Sequence, residues 1–185
     1  MEIEGIENLP KENTIIVANH SQMNGPIAGE LFMPNNCYIW CAGQMMDLKE
    51  VPQYAFSDFW SQKPKWTHPF YKVLSYLIAP FADCIFNNAR TIAVHRDMRI
   101  MSTFKESTFV PLYIAPKLKT MYIGKGICFN SENSIEEERT RICGYLSEEI
   151  TKIARDLPEH TVVPYRNIPK KYYLTNKDIT EVPKK

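Results

Sequence analysis

The chain is expected to form an α/β domain, a largely parallel or mixed sheet flanked by helices, on two observations. Short β-branched apolar runs alternate with segments whose apolar residues recur at helical spacing. The 185 residues are 44% apolar and 23% charged, the balance of one compact soluble core. A domain of this size removes roughly 70% of the unfolded chain's surface from water, so neither metal nor disulfide is needed to hold it. The core is expected over residues 1–160. Beyond Pro158 the composition turns to Pro, Asn, Lys and Tyr, and 161–185 reads as a tail draped on the domain or partly disordered.

Thr14-Ile-Ile-Val-Ala-Asn19 reads as a buried strand, and Pro26 after Gly25 suits the first turn of a short helix, PIAGELF. Cys37 to Ala42 is a second strand. Helical spacing covers Val51 to Trp60 and His68 to Ile78. Ala82 to Phe86 and Thr91 to His95 read as strands separated by an Asn87-Asn88 turn. Met98 to Ser107 reads as a short helix. Val110 to Ala115 is a strand that Pro111 places at a sheet edge or a strand start. Met121 to Phe129 is extended, its glycines marking a bulge or bend. Glu136 to Leu157 is the longest helix, acidic in its first turn, with Ile142, Leu146, Ile150 and Ile153 along one face.

Composition narrows the function. Twenty-two Lys plus Arg against 21 Asp plus Glu leave a net charge of +1, and no basic stripe tracks a phosphate backbone, so nucleic acid is not an expected partner. The five cysteines are odd in number and lack a C-x-x-C pair, and the start, MEIEGIENLPKEN, is acidic where a secretory signal is basic and then apolar. A cytoplasmic setting with buried free thiols follows, and no metal site is expected. The longest apolar run, Val73 to Phe81, is short and broken by Pro80, so no segment is expected to span a bilayer. Between Tyr54 and Tyr76, however, Phe56, Phe59, Trp60, Trp66, Phe70 and Tyr71 interleave with Lys63, Lys65 and Lys72. Most of these rings are expected in the core; a membrane-surface patch is the other reading, and it places the protein peripherally at the inner face of the membrane.

Ligands of such sheets gather beyond the carboxyl ends of the strands. His20 follows the first long strand and Arg96 follows the Thr91 strand. The polar turn and helix start after His20, Ser21-Gln-Met-Asn-Gly-Pro26, offer free amides to a developing negative charge. Imidazole titrates near neutrality and accepts a proton from a hydroxyl, while a guanidinium fork suits phosphate. His68 reads as a capping or surface residue, His95 as part of a strand, and His160 as part of the tail.

The stretch Gly5-Ile-Glu-Asn-Leu-Pro10, followed by an apolar strand and Asn19-His20, resembles the opening of the phospholipid and glycerol acyltransferase family of lysophosphatidate acyltransferase type, where G-x-E-N-L-P leads into N-H-x-x-x-x-D. Arg90-Thr-Ile-Ala-Val-His-Arg96 is similar to that family's G-x-I-x-x-x-R motif, and Val110-Pro111 to its apolar strand bearing V-P. The resemblance implies a glycerolipid acyltransferase-like fold and transfer of a fatty acyl group from acyl-CoA or acyl-ACP, a co-substrate and not a cofactor, to a glycerol phosphate or lysophospholipid hydroxyl. It implies His20 as general base and Arg96 as the phosphate ligand, with Asn19, Asn24, Gly25, Val110 and Pro111 in support.

Three departures accompany it. Gly25 stands where the family has Asp, so Asn24 or a backbone carbonyl is left to orient His20; losing the orienting carboxylate of a serine-protease triad costs about 10⁴ in rate. Arg90 replaces a Gly. No F-P-E-G block lies between Arg96 and Val110. These departures keep open a second reading, a catalytically degenerate lipid- or acyl-binding domain. A nucleotide-binding domain suits the fold class, but Gly124-Lys-Gly126 lacks the spacing and the Ser or Thr of a phosphate loop.

Overall fold

The fold is that of a computed structural model, which describes residues 1–22, 24–34, 36–94, 106–164 and 168–179. It is mixed α/β, with mostly parallel strand pairings and flanking helices. The chain divides into two compact units, 1–32 with 99–185, and 33–98. The helix expected over 98–107, apart from its last two residues, lies outside the described residues, as do His95 and Arg96.

In the first unit, β1 (Glu2–Glu4), β2 (Thr14–Ala18), β5 (Thr108–Ala115), β6 (Thr120–Ile123) and β7 (Ile127–Cys128) form one sheet in the order β1-β6-β5-β2, with β7 also on β5. Here β3 (Ile39–Ala42) and β4 (Thr91–Val94) belong to the other unit. β1 runs parallel to β6 and β2 parallel to β5, whereas β6 and β7 run antiparallel to β5. β1 was not expected: only three residues long, it alternates Glu-Ile-Glu, too short a period-two signal to stand out.

The expectation that Pro111 marks an edge or a strand start is corrected. β5 is central and buried from Phe109 to Ala115, and Pro111 lies inside it. The reason is the bulge that the glycines signalled. Phe109 faces Ile127 and Leu112 faces Ile123, so the β6–β7 stretch carries one residue more than β5 between the same two rungs. The Gly124 N–H donates to the Pro111 carbonyl at 2.9 Å. The return bond, which needs the N–H that proline lacks, falls where the partner strand leaves the ladder. A side chain on Gly124 would begin 2.8 Å from the Pro111 ring, so glycine makes the room.

The helix α4 (Ile135–Asp156) covers one face of this sheet, as its sequence periodicity indicates. Ile142 and Leu146 pack on Phe109, while Ile150, Ile153 and Ala154 pack with Tyr113 and Ala115. Its start is a capping box: Ser134 accepts from the Glu137 N–H and the Glu137 carboxylate accepts from the Ser134 N–H. One turn in, Glu138 is fully buried. Arg141 grips it through Nε and Nη2, both at 2.7 Å, and it accepts from the Asn130 N–H at 2.9 Å and the Asn133 amide at 2.7 Å.

The Arg141 hydrogen bonds lead in holding this carboxyl at about 2, below its ordinary 4.5, against the opposing effect of burial. A depressed carboxyl stabilises the fold above its unfolded value and loses that contribution as protons return. Chemical unfolding of the wild type is therefore expected to lose stability between pH 4.5 and pH 2. Glu138→Gln should start lower at pH 7 and show a shallower decline across that window.

The second unit pairs β3 with β4 in parallel. α2 (Val51–Ala55) runs into a wide helical turn, Phe56–Trp60, and after a 3-10 turn at Lys65–Thr67 the long helix α3 (His68–Asn88) packs back on α2. His68 begins α3 and its Nε2 donates to the Lys63 carbonyl at 2.9 Å. The strand expected over Ala82 to Phe86 is corrected: these residues continue α3 past Pro80. Asn87 and Asn88 are its last turn and not a separate hairpin, their amides donating back to the carbonyls of Asp83 and Cys84. A short apolar run carries no period of its own, and here the preceding helix decides its form.

The five cysteines are free, but the expectation that all are buried is corrected: Cys84, Cys128 and Cys143 are exposed, and Cys37 and Cys41 half-buried. Burial pushes both half-buried thiols up, which makes them poor nucleophiles and poor metal ligands.

Candidate functional site

β2 ends at Ala18, opposite Leu112 of β5, and the next residue extends the ladder with its side chain. The Asn19 amide imitates a peptide group: its Oδ1 accepts from the Ile114 N–H at 2.6 Å and its Nδ2 donates to the Ile114 carbonyl at 2.9 Å. The same Nδ2 reaches Ser21 Oγ at 2.9 Å. Asn19 thereby clamps the carboxyl end of β2 to β5 just where His20, which is exposed, leaves the sheet.

The chain then turns through two consecutive left-handed residues, Ser21 at φ 45° and Gln22 at φ 54°. Side chains rarely adopt this conformation, and each such residue costs about 1–2 kcal/mol. Ser21 is 2% exposed, so the turn is held from within. The helix α1 (Asn24–Phe32) follows at once, with the Asn24 N–H and side-chain amide both donating to the Ser21 carbonyl, at 3.1 and 3.0 Å. Gly25 is required by proximity: a Cβ there would lie 2.3 Å from the His20 carbonyl oxygen. The absent carboxylate of the resemblance and the shape of this turn are thus one feature.

The opening motif has a structural account as well. Gly5 sits at φ 77°, and a Cβ on it would lie 2.3 Å from the Ile123 carbonyl oxygen. Asn8 Nδ2 donates to that same oxygen at 2.9 Å. Gly5 and Asn8 therefore fasten the N-terminal segment to the end of β6. Val110 and Pro111, level with Ile16 and Val17, lie in the sheet core, three to four residues short of Ile114. That is roughly 10–13 Å along the strand from the level of His20. Arg90 Nη1 donates to the Pro34 carbonyl at 3.0 Å, a bond within the second unit. Arg96 lies outside the described residues.

No protein-family model, curated protein or solved structure matches this chain. The chemistry therefore has to be argued from the residues themselves.

Sequence reasoning missed one polar cluster. His160, assigned to the tail, is 6% exposed and Asn176 fully buried. The Tyr113 hydroxyl donates to His160 Nε2 at 2.9 Å, and Nδ1–H donates to the Pro158 carbonyl at 2.7 Å, an assignment that follows because a carbonyl only accepts. Asn176 accepts from the His160 N–H at 2.9 Å and donates to the carbonyls of Ala154 and Leu157 at 2.7 and 3.1 Å, closing the end of α4. Burial raises the Tyr113 hydroxyl to about 12. Every ring nitrogen of His160 is engaged, so the cluster reads as a latch for the C-terminal segment. Its signal was the capping box Thr175–Asp178, a local stop in a stretch otherwise read as loose. Gln22 Nε2 reaches the Tyr173 hydroxyl at 3.3 Å, joining that segment to the His20 turn. Among the described residues no three His, Cys, Asp or Glu side chains gather as metal ligands.

Asn19→Ala strips two partners from the backbone of Ile114, which is 2% exposed. Each orphaned buried group costs about 1–3 kcal/mol. Urea unfolding is expected to show a loss of about 2–4 kcal/mol, whereas a role for Asn19 confined to substrate would leave the midpoint unmoved.

Proposed function

We propose that this chain transfers a fatty acyl group from an acyl thioester to the hydroxyl of a glycerol phosphate or lysophospholipid. The observation that carries the reading is His20: an exposed imidazole at the carboxyl end of β2, clamped behind by Asn19 and followed by a buried left-handed turn and the start of α1. The resemblance of the segments around Gly5 and Asn19-His20 to glycerolipid acyltransferases supports it, and a glycerolipid acyltransferase-like fold is part of the proposal. Strained backbone held from within is a recurrent mark of functional turns.

In this reaction His20 takes the proton of the acceptor hydroxyl while its oxygen attacks the thioester carbonyl. The C–O bond forms, the C–S bond breaks, and the imidazolium returns the proton to the leaving thiolate. No acyl-enzyme forms. The positive end of α1 favours the oxyanion, and the resemblance to glycerolipid acyltransferases assigns the acceptor's phosphate to Arg96. The test incubates labelled acyl-CoA or acyl-ACP with lysophosphatidate and compares wild type with His20→Ala; equal ester from both ends the proposal.

The second reading, a lipid- or acyl-binding domain without turnover, is favoured by one observation: Gly25 leaves no carboxylate five residues after His20. Retention of acyl chains with no ester formed by wild type would select it.

A further inference from the structure

The helix α3 carries large apolar residues on both of its faces. A surface helix normally turns its large apolar residues to the core and its polar ones to water. Here the fully buried positions are Ser75 and Ala79, flanked by the half-buried Tyr71, Leu74, Ile78 and Phe86. The outward positions are Phe70 (66% exposed), Val73 (62%), Tyr76 (70%), Leu77 (72%), Phe81 (71%) and Ile85 (46%), preceded by Trp66 at 84%. Residues 66, 70, 73, 77, 81 and 85 recur at three- and four-residue steps, which places them on one continuous stripe. Over the 21 residues of α3 that stripe is about 30 Å long. Exposed apolar patches of this extent mark interaction sites.

Charge selects the occupant. From Phe59 to Ala82 the sequence contains Lys63, Lys65 and Lys72 and no Asp or Glu, and Asp83, which follows, is half-buried with its carboxylate accepting from the Asn87 amide at 3.0 Å. Lys65 shares its 3-10 turn with Trp66 and Lys63 stands just before it, whereas Lys72 falls in the row of the buried Ser75 and Ala79, its Nζ 5.6 Å from the centre of the half-buried Phe56 ring, and lies away from the stripe. An apolar stripe with cations at its N-terminal end, and Trp and Tyr among its rings, is the composition of a helix lying in a lipid interface. No described helix is long and apolar enough to cross a membrane, so the geometry is that of lying on it. A partner protein would be expected to find hydrogen-bonding side chains along the stripe, and from Val73 to Ile85 its exposed residues offer the Tyr76 hydroxyl and the weakly bonding Cys84 thiol.

We infer that the stripe from Trp66 along α3 to Ile85 is a docking surface for an anionic lipid bilayer, its apolar side chains entering the acyl boundary and Lys63 and Lys65 meeting the headgroups. This differs from the patch the sequence suggests between Tyr54 and Tyr76: Phe56, Phe59, Trp60 and Tyr71 are half-buried, with Trp60 stacked on Tyr71 at 5.6 Å. The surface extends instead toward the C-terminal end of α3. The inference stands on this surface alone and is independent of any chemistry at His20.

The test is co-sedimentation of the full chain with vesicles of phosphatidylcholine alone or mixed with phosphatidylglycerol. Wild type is expected to favour the anionic vesicles strongly, a preference weakened by salt, since each Lys near such a surface contributes about fivefold. Leu77→Glu with Phe81→Glu should lower partitioning at least tenfold with unchanged circular dichroism, and Lys63→Gln with Lys65→Gln should remove the anionic preference but keep weak binding to neutral vesicles. Trp66 fluorescence should be quenched by brominated lipid, a quenching reduced in Trp66→Phe. His20→Ala should bind as wild type does, so loss of turnover and loss of docking are separable. Wild type remaining in the supernatant, equal partitioning of the Glu variant, or light scattering showing a dimer that the Glu variant breaks without any vesicle binding would each overturn the inference.

Discussion

If the proposed transfer is the activity, His20→Ala is expected to lower ester formation by about 10²- to 10⁴-fold, the range general-base catalysis supplies, while the unfolding midpoint is expected to stay within about 0.5 kcal/mol of wild type, as for an exposed position outside the core. The two readouts together are decisive. His20 is exposed at the rim, and Asn19 and Ser21 hold the backbone on either side of it. A base removed from the transition state lowers kcat and kcat/KM together, whereas a lost binding contact raises KM alone. A variant with undiminished kcat, or one whose loss tracks a lower melting temperature, would remove His20 from the chemistry.

Gly25→Asp produces the second large effect, and its direction opposes the intuition drawn from the resemblance. Restoring the motif's carboxylate suggests faster transfer. Geometry predicts the reverse, because the new Cβ would lie 2.3 Å from the His20 carbonyl oxygen and 3.2 Å from its carbon, both backbone atoms that no rotamer change can move. The left-handed pair Ser21 and Gln22 must rebuild to admit any side chain. Gly25→Asp and Gly25→Ala are both expected to lose about 1–3 kcal/mol, the usual cost of overpacking, and neither should exceed wild-type ester formation. Higher turnover in Gly25→Asp at unchanged stability would show instead that the turn tolerates the carboxylate and that the glycine is a simple loss.

These two residues illustrate how far a sequence reading reaches at a site. The position of His20 past the first long strand was legible, because β-branched runs end visibly at polar residues and ligand sites follow strand ends. The role of Asn19 was not. Its side chain meets Ile114, ninety-five residues away, and no local pattern encodes a clamp across that separation. The reason for Gly25 was equally hidden, since a close approach to a neighbouring carbonyl depends on the turn's dihedral angles and not on the letters around it.

The same division holds for the fold. Sequence alone determined the α/β class, the strands β2 and β5, the bulge before β7 and the packed face of α4, because each rests on local periodicity or on glycine chemistry. Tertiary structure alone decided that Pro111 sits inside a central strand, that 82–86 is helix, and that His160 and Asn176 form a buried latch. It also decided that Phe70, Val73, Leu77, Phe81 and Ile85 of α3 face outward while Leu74 and Ile78 are half-buried. Periodicity cannot choose between two apolar faces of one helix; which of them meets the protein is settled by the partners brought against it, here α2.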